Sequence, residues 1–191
     1  MNRFLWAKFQ LLDVEEAFTT SALRTILEDL PKNLSDTYLR IIRRTSQSVR
    51  GQAKLDTMQR VFRWVAVARR PLNIHELEEA IALESTDTYL HFDRLPRHAG
   101  AKLVSDCSNL VVLNDGDNTV GFAHHTVKQF LFSSRNCGAE LLGLTDLDSS
   151  DAEVGEICLA YLNFSDFETQ LAKAPTQSHV EVKAPLAEGI V

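Results

Sequence analysis

The stretch Leu110-Val111-Val112-Leu113-Asn114-Asp115-Gly116-Asp117-Asn118-Thr119-Val120-Gly121-Phe122 decides how the chain is read. Two short runs rich in β-branched and apolar residues flank a cluster of turn formers. Asp115-Gly116 within that cluster is the strongest short hairpin signal a sequence carries. On both sides the apolar spacing returns to the helical period. Downstream, Val127, Phe130 and Leu131 fall at i, i+3 and i+4. Upstream, a helix over Lys102 to Cys107 is closed by Ser108-Asn109. Before it, Asn73 caps a helix that carries Ile74, Leu77, Ala80 and Ile81. Residues 84–98 between the two are polar and irregular.

Further upstream, Leu55, Met58, Val61, Phe62 and Val65 form a continuous apolar stripe. Trp64, Ala66, Val67 and Ala68 make the other sides of that helix apolar too, which predicts a central position. Arg69-Arg70-Pro71 stops it: the cations suit the negative helix end, and proline cannot continue the helix. Three helices followed by a β-hairpin is the order of a winged helix, with the hairpin as the wing. Ahead of it, Leu5, Phe9 and Leu12 predict a first helix. A second over Ala22 to Leu30 is capped by Thr20 or Ser21, and a third carrying Tyr38, Ile41 and Ile42 is capped by Ser35. After the wing, 134–150 reads as a linker, and Val154, Ile157, Cys158 and Tyr161 mark one more helix. The expected architecture is mainly α: a helical segment (1–51), a winged helix (52–133), a further helical segment (134–172) and a flexible tail (173–191).

Composition narrows the function classes. The chain has 191 residues, 45% hydrophobic and 24% charged, enough to bury a core. No uncharged apolar run is long enough for a membrane span, and the first residues do not form a secretory signal. Three widely spaced cysteines, Cys107, Cys137 and Cys158, argue against a disulfide scaffold and for a reducing, cytoplasmic setting. The net charge of −6 is unevenly spread. Residues 1–138 carry +2, and 139–191 carry −8. An acidic end does not grip a phosphate backbone. Residues 40–70 hold nine basic residues and one acid, Asp56. They read either as a solvated helix face or as a docking face for the acidic end or an acidic partner.

Catalytic motifs are not found. None of the eight glycines opens a G-x-x-x-x-G-K-[ST] loop, so no P-loop is available to cradle phosphates. Leu110 to Asp115 imitates the apolar strand that ends in a Mg²⁺-holding acid, yet without that loop a wing strand explains it better. His75-Glu76-Leu77-Glu78-Glu79 begins like a zincin helix, but Glu79 stands where the second histidine belongs. There is no G-x-S-x-G elbow. The polar feature that stands out is His124-His125, between the return strand and the helix after it. An imidazole at a helix start can meet an anion. The plainer reading is a capping histidine, because the helix end needs a cap whatever the function.

Several segments, in this order, carry a resemblance: Phe4-Leu-Trp-Ala-Lys-Phe-Gln-Leu-Leu12, Leu30-Pro-Lys-Asn-Leu34, Thr37-Tyr38, Trp64-Val-Ala-Val-Ala-Arg-Arg-Pro-Leu72, Glu76-Leu-Glu-Glu-Ala80, Cys107-Ser-Asn-Leu-Val111 and Phe122-Ala-His-His-Thr-Val-Lys-Gln-Phe-Leu131. Over roughly residues 4–165 they resemble the region after the nucleotide-binding core in NACHT-type STAND proteins of filamentous fungi. Many of these are NOD-like receptors with ankyrin or WD repeats. Residues 52–133 are similar to the winged-helix domain named after GPI inositol-deacylase, a name that implies no deacylase activity here. The resemblance implies a non-catalytic regulatory module of a nucleotide-dependent switch. It also implies a P-loop core before Phe4 and sensor repeats after Leu162, neither of which this chain carries, so no ATP hydrolysis and no cofactor of its own are expected. His124 matches a histidine that touches the nucleotide phosphate in related switches. Plant relatives have Met-His-Asp there, and this chain has Ala123-His124-His125. The expected partners are other proteins or the nucleotide core in cis, with no membrane and no nucleic acid. The competing reading, a nucleic-acid-binding winged helix, is opposed by charge: segment 99–110 offers only Lys102, and the wing is acidic.

Overall fold

A computed structural model describes residues 3–15, 17–48, 51–96, 99–114, 116–133 and 137–167. The tail expected over 173–191 lies outside the described residues, as does Asp115. The helices are α1 (Arg3–Glu15), α2 (Thr20–Glu28), α3 (Leu34–Ser46), α4 (Gly51–Val67), α5 (Ile74–Ala82), α6 (Ala99–Asp106), α7 (His125–Leu131), α8 (Cys137–Leu141) and α9 (Leu147–Leu162). Three short strands, β1 (Leu72–Asn73), β2 (Val111–Asn114) and β3 (Thr119–Phe122), form an antiparallel sheet in the order β1-β3-β2. The mainly helical class and the winged helix are as the sequence predicts.

Helix α4 is the centre. Met58, Val61 and Phe62 are fully buried, and Leu55, Trp64 and Ala66 nearly so. Helices α3, α5, α6 and α9 and strand β3 all pack on it. This is why its sequence is apolar on more than one side. Its start needs glycine: a Cβ on Gly51 would lie 2.1 Å from the Ser46 carbonyl oxygen. Its end is held by Lys128 of α7, whose ammonium donates to the Ala66 carbonyl at 2.6 Å.

Several caps follow from local sequence. Asn73 and Glu76 form a reciprocal capping box on α5, with the Asn73 amide donating to Glu76 Oε2 at 2.8 Å. Helix α6 ends as predicted at Ser108-Asn109, both in the left-handed region (φ 52° and 58°). Their amides return to Ser105 and Val104 carbonyls at 2.8 and 3.1 Å, a Schellman ending. Two caps sit slightly earlier than expected. Thr19, not Thr20 or Ser21, caps α2. Asn33, not Ser35, caps α3. Asn33 accepts from the Asp36 amide at 2.9 Å through Oδ1 and donates to Asp36 Oδ2 at 2.8 Å through Nδ2.

Three expectations need correction. Strand β1 was not predicted. It is two residues long behind Pro71 and exists only through pairing, Leu72 opposite Val120 and Asn73 opposite Thr119. Helix α4 stops at Val67, ahead of Arg69-Arg70-Pro71, so the two cations stand beyond its last turn. In the wing, β2 and β3 pair as far as Asn114 and Thr119, and Asn118 of the connecting loop is left-handed (φ 55°). Residues 134–150 are not simply a linker. They contain α8 and the start of α9. Helix α8 ends at Gly143 (φ 61°), where the Leu144 amide donates to the Ala139 carbonyl at 2.9 Å and buries Leu142 and Leu144 in the core.

No described helix is long and apolar enough to cross a membrane. The dominance of α4 sets a stability test. Phe62→Ala is expected to lower unfolding free energy by about 3–5 kcal/mol. Leu159→Ala on the exposed side of α9, where Leu159 is 64% accessible, should stay within about 0.5 kcal/mol. Urea denaturation curves of the two variants check the contrast.

Candidate functional site

His124 stands at the junction where β3 turns into α7. It is the N-cap of that helix, and its backbone is extended there (φ −160°, ψ 150°). Its Nδ1 accepts from the Thr126 amide at 3.3 Å. Thr126 Oγ1 lies 2.8 Å from the same nitrogen. The chain of contacts continues: Tyr38 Oη lies 2.8 Å from Thr126 Oγ1. Tyr38 comes from α3 and is only 1% exposed. Its ring packs edge-on against Phe9 of α1, with centroids 5.8 Å apart, and against Phe130 of α7 at 5.3 Å. Burial pushes the Tyr38 phenol above its ordinary range, partly opposed by the Thr126 hydrogen bond. The His125 ring is more exposed and lies tilted by 38° against His124 with centroids 4.1 Å apart. The capping reading of His124 is therefore realised through Nδ1. Thr126 and Tyr38 were not anticipated as its partners. Thr126 was legible as a possible neighbour two residues on, but Tyr38 lies 88 positions away from Thr126.

The other candidate residues do different work. His75 is exposed, with Nδ1 3.2 Å from Glu78 Oε2. Glu76 points to Arg70, which grips it through two nitrogens at 2.7 and 2.8 Å. Glu79 accepts a 2.6 Å hydrogen bond from the Tyr161 hydroxyl and so joins α5 to α9. Burial pushes the Glu79 carboxyl up, against the pull of that hydrogen bond. The acids of the zincin-like stretch thus point to separate partners. Among the described residues no group of three or more His, Cys, Asp or Glu side chains converges. Cys107 and Cys158 are free and buried, and burial raises both thiols.

The basic stretch 40–70 is mostly spent on internal pairs. Arg63, with its side chain 14% accessible, binds Glu153 of α9 at 2.8 Å. Arg69 lies 4.0 Å from Asp151 of the same helix. Arg60 reaches Glu84 at 2.9 Å and the Ile81 carbonyl at 3.0 Å. Arg40 pairs with Asp29. Of the two readings of this stretch, the docking face for the acidic end holds for Arg63, while Arg69, 82% accessible, fits the solvated face. An open cleft of about 590 Å³ lies between α4, the end of α5 and α6. Its cations Arg60, Arg94 and Lys102 are each matched by a neighbouring acid.

Three helices, a three-stranded wing sheet and the helix after it define a winged-helix protein. Residues 42–142 match the family described as GPI inositol-deacylase, winged helix domain. That is over half of the chain, and the chain belongs to this family. The domain is one found in NACHT-containing proteins. The chain is also similar to the azaphilone pigments biosynthesis cluster protein L of Monascus ruber, 27% identical over 168 residues that cover 83% of this chain and 34% of that protein. It thus spans about a third of the length of that relative. No solved structure matches.

The Arg70–Glu76 grip makes stability depend on acid. Hydrogen bonds from Arg70 hold the Glu76 carboxyl below its ordinary range, against desolvation. A carboxylate held low in the folded state stabilises it above the ordinary glutamate range, and that contribution is lost as pH falls through and below that range. Urea midpoints recorded from about pH 7 down to about pH 3 are expected to fall less steeply for Glu76→Gln than for the wild type. Equal slopes would contradict the assignment.

Proposed function

We propose that this chain is a non-catalytic regulatory module of a NACHT-type nucleotide-dependent switch. Its partners are a nucleotide-binding core in cis or other proteins, and it works in the cytoplasm. The observation that carries the reading is the family match over 42–142, centred on the winged helix that NACHT-containing proteins use. The pairing of charges inside the molecule supports it, since the fold spends its arginines on packing helices together. In this reading His124 presents its ring to a nucleotide phosphate when the core closes on the winged helix.

Electrostatics oppose the nucleic-acid alternative. Lys102 is the only basic side chain of α6, and it pairs with Asp106. Free lysines and arginines are what neutralise phosphates and drive DNA affinity. Duplex DNA is therefore expected to show no electrophoretic shift with this chain at about 50 mM salt.

The switch is tested on the native polypeptide. An antibody against residues 1–138 is used to capture it, its mass is read on a denaturing gel, and bound nucleotide is measured after extraction. The expected result is a polypeptide well above 21.4 kDa that carries ADP or ATP. His124→Ala in that polypeptide is expected to weaken ADP binding about tenfold, or about 1.4 kcal/mol. A captured protein without nucleotide overturns the switch. Unchanged ADP affinity in His124→Ala overturns the role of the histidine.

A further inference from the structure

The contacts around His124 fix more than a cap. A backbone amide can only donate, so the 3.3 Å contact from the Thr126 N–H is a hydrogen bond only while His124 Nδ1 is unprotonated. The proton of the neutral ring then sits on Nε2. With Nδ1 an acceptor, the 2.8 Å contact from Thr126 Oγ1 is a hydroxyl donating to it. That uses the one hydrogen of Thr126. Its oxygen has only lone pairs left for Tyr38, so the Tyr38 hydroxyl donates across the remaining 2.8 Å. Three hydrogen-bond directions thus follow from one amide. The relay starts from a side chain that cannot turn away: Tyr38 is 1% exposed and lies between the rings of Phe9 and Phe130. Its buried phenol keeps its proton.

We infer that Tyr38 and Thr126 are positioning residues that hold His124 as the Nε2–H tautomer, so that the ring meets any partner as a hydrogen-bond donor and never as an acceptor. Among the described residues no group engages Nε2. The matching partner atom is an oxygen acceptor. That this oxygen belongs to a nucleotide phosphate rests on the preceding proposal; the tautomer does not.

The test is proton-coupled ¹⁵N spectroscopy of the imidazoles in the labelled 191-residue chain, which distinguishes the two tautomers directly. The wild type is expected to show His124 as Nε2–H. Thr126→Val keeps the shape and the amide but loses the hydroxyl, and the Nδ1–H share is expected to rise about three- to tenfold. Thr126→Ser is expected to restore the wild-type spectrum. Tyr38→Phe should shift the balance in the same direction by less, and should add nothing on top of Thr126→Val, because Tyr38 acts only through Thr126. A merely structural role would alter stability without ordering the tautomers in this way. A wild-type ring in the Nδ1–H form, or a Thr126→Val ring indistinguishable from wild type, overturns the inference. The readout needs no nucleotide. Failure of ADP to bind therefore sinks the switch reading alone, and an Nδ1–H ring sinks the positioning role alone.

Discussion

Met58, Val61 and Phe62 touch no solvent, and the rest of the molecule is arranged to keep it so. A helix buried on more than one side must be covered by several neighbours. Here α3, α5, α6 and α9 and the wing sheet do the covering. The helices before and after the winged helix are for this reason part of its core. Ile42 from α3 and Val154, Cys158 and Tyr161 from α9 belong to the same apolar cluster as Leu77, Leu110 and Val127. The family match begins at Ile42, already inside the cluster, and ends at residue 142, before α9.

Polar ties fix the register of that packing. Arg63 to Glu153 and Tyr161 to Glu79 hold α9 against α4 and α5. Lys128 holds α7 to the end of α4. Tyr38 holds α3 to α7 from a buried position, and through Thr126 it reaches the ring of His124. In the arginine to glutamate contact the Arg63 side chain is shielded while Glu153 stays 44% accessible, so water screens the pair and it guides register more than it adds stability. The same ties explain the lopsided charge of the sequence. Part of the acidic end faces part of the basic stretch across the α4–α9 contact.

The features legible in the sequence were those governed by near neighbours. Asn73 with Glu76 opened α5, Ser108-Asn109 closed α6, and the apolar stripe from Leu55 to Val65 announced the central helix, although α4 stops at Val67, short of the Arg69-Arg70-Pro71 expected to end it. His124 was legible as a cap for the same reason. What stayed hidden depends on distant partners. Strand β1 has two residues and no period of its own, and only Val120 and Thr119 make it a strand. The Tyr38–Thr126 contact spans 88 positions and Tyr161–Glu79 spans 82. Helix α8 is an exception, for its ending was written locally: Leu142-Gly143-Leu144 is an apolar residue, a left-handed glycine and an apolar residue, the pattern of a Schellman stop.

The central claim is that the flanking helices and the winged helix fold as one cooperative body around α4. Native-state amide hydrogen exchange tests it most directly. The account predicts that the slowest amides of α3 around Ile42, of α4, of β3 and of α9 around Cys158 share one opening free energy to within about 0.5 kcal/mol. Those of α2, which buries no residue, should exchange by a cheaper local opening. If the slowest amides of α3 or α9 open at a distinctly lower free energy than those of α4, the helices are separable attachments and the account is wrong.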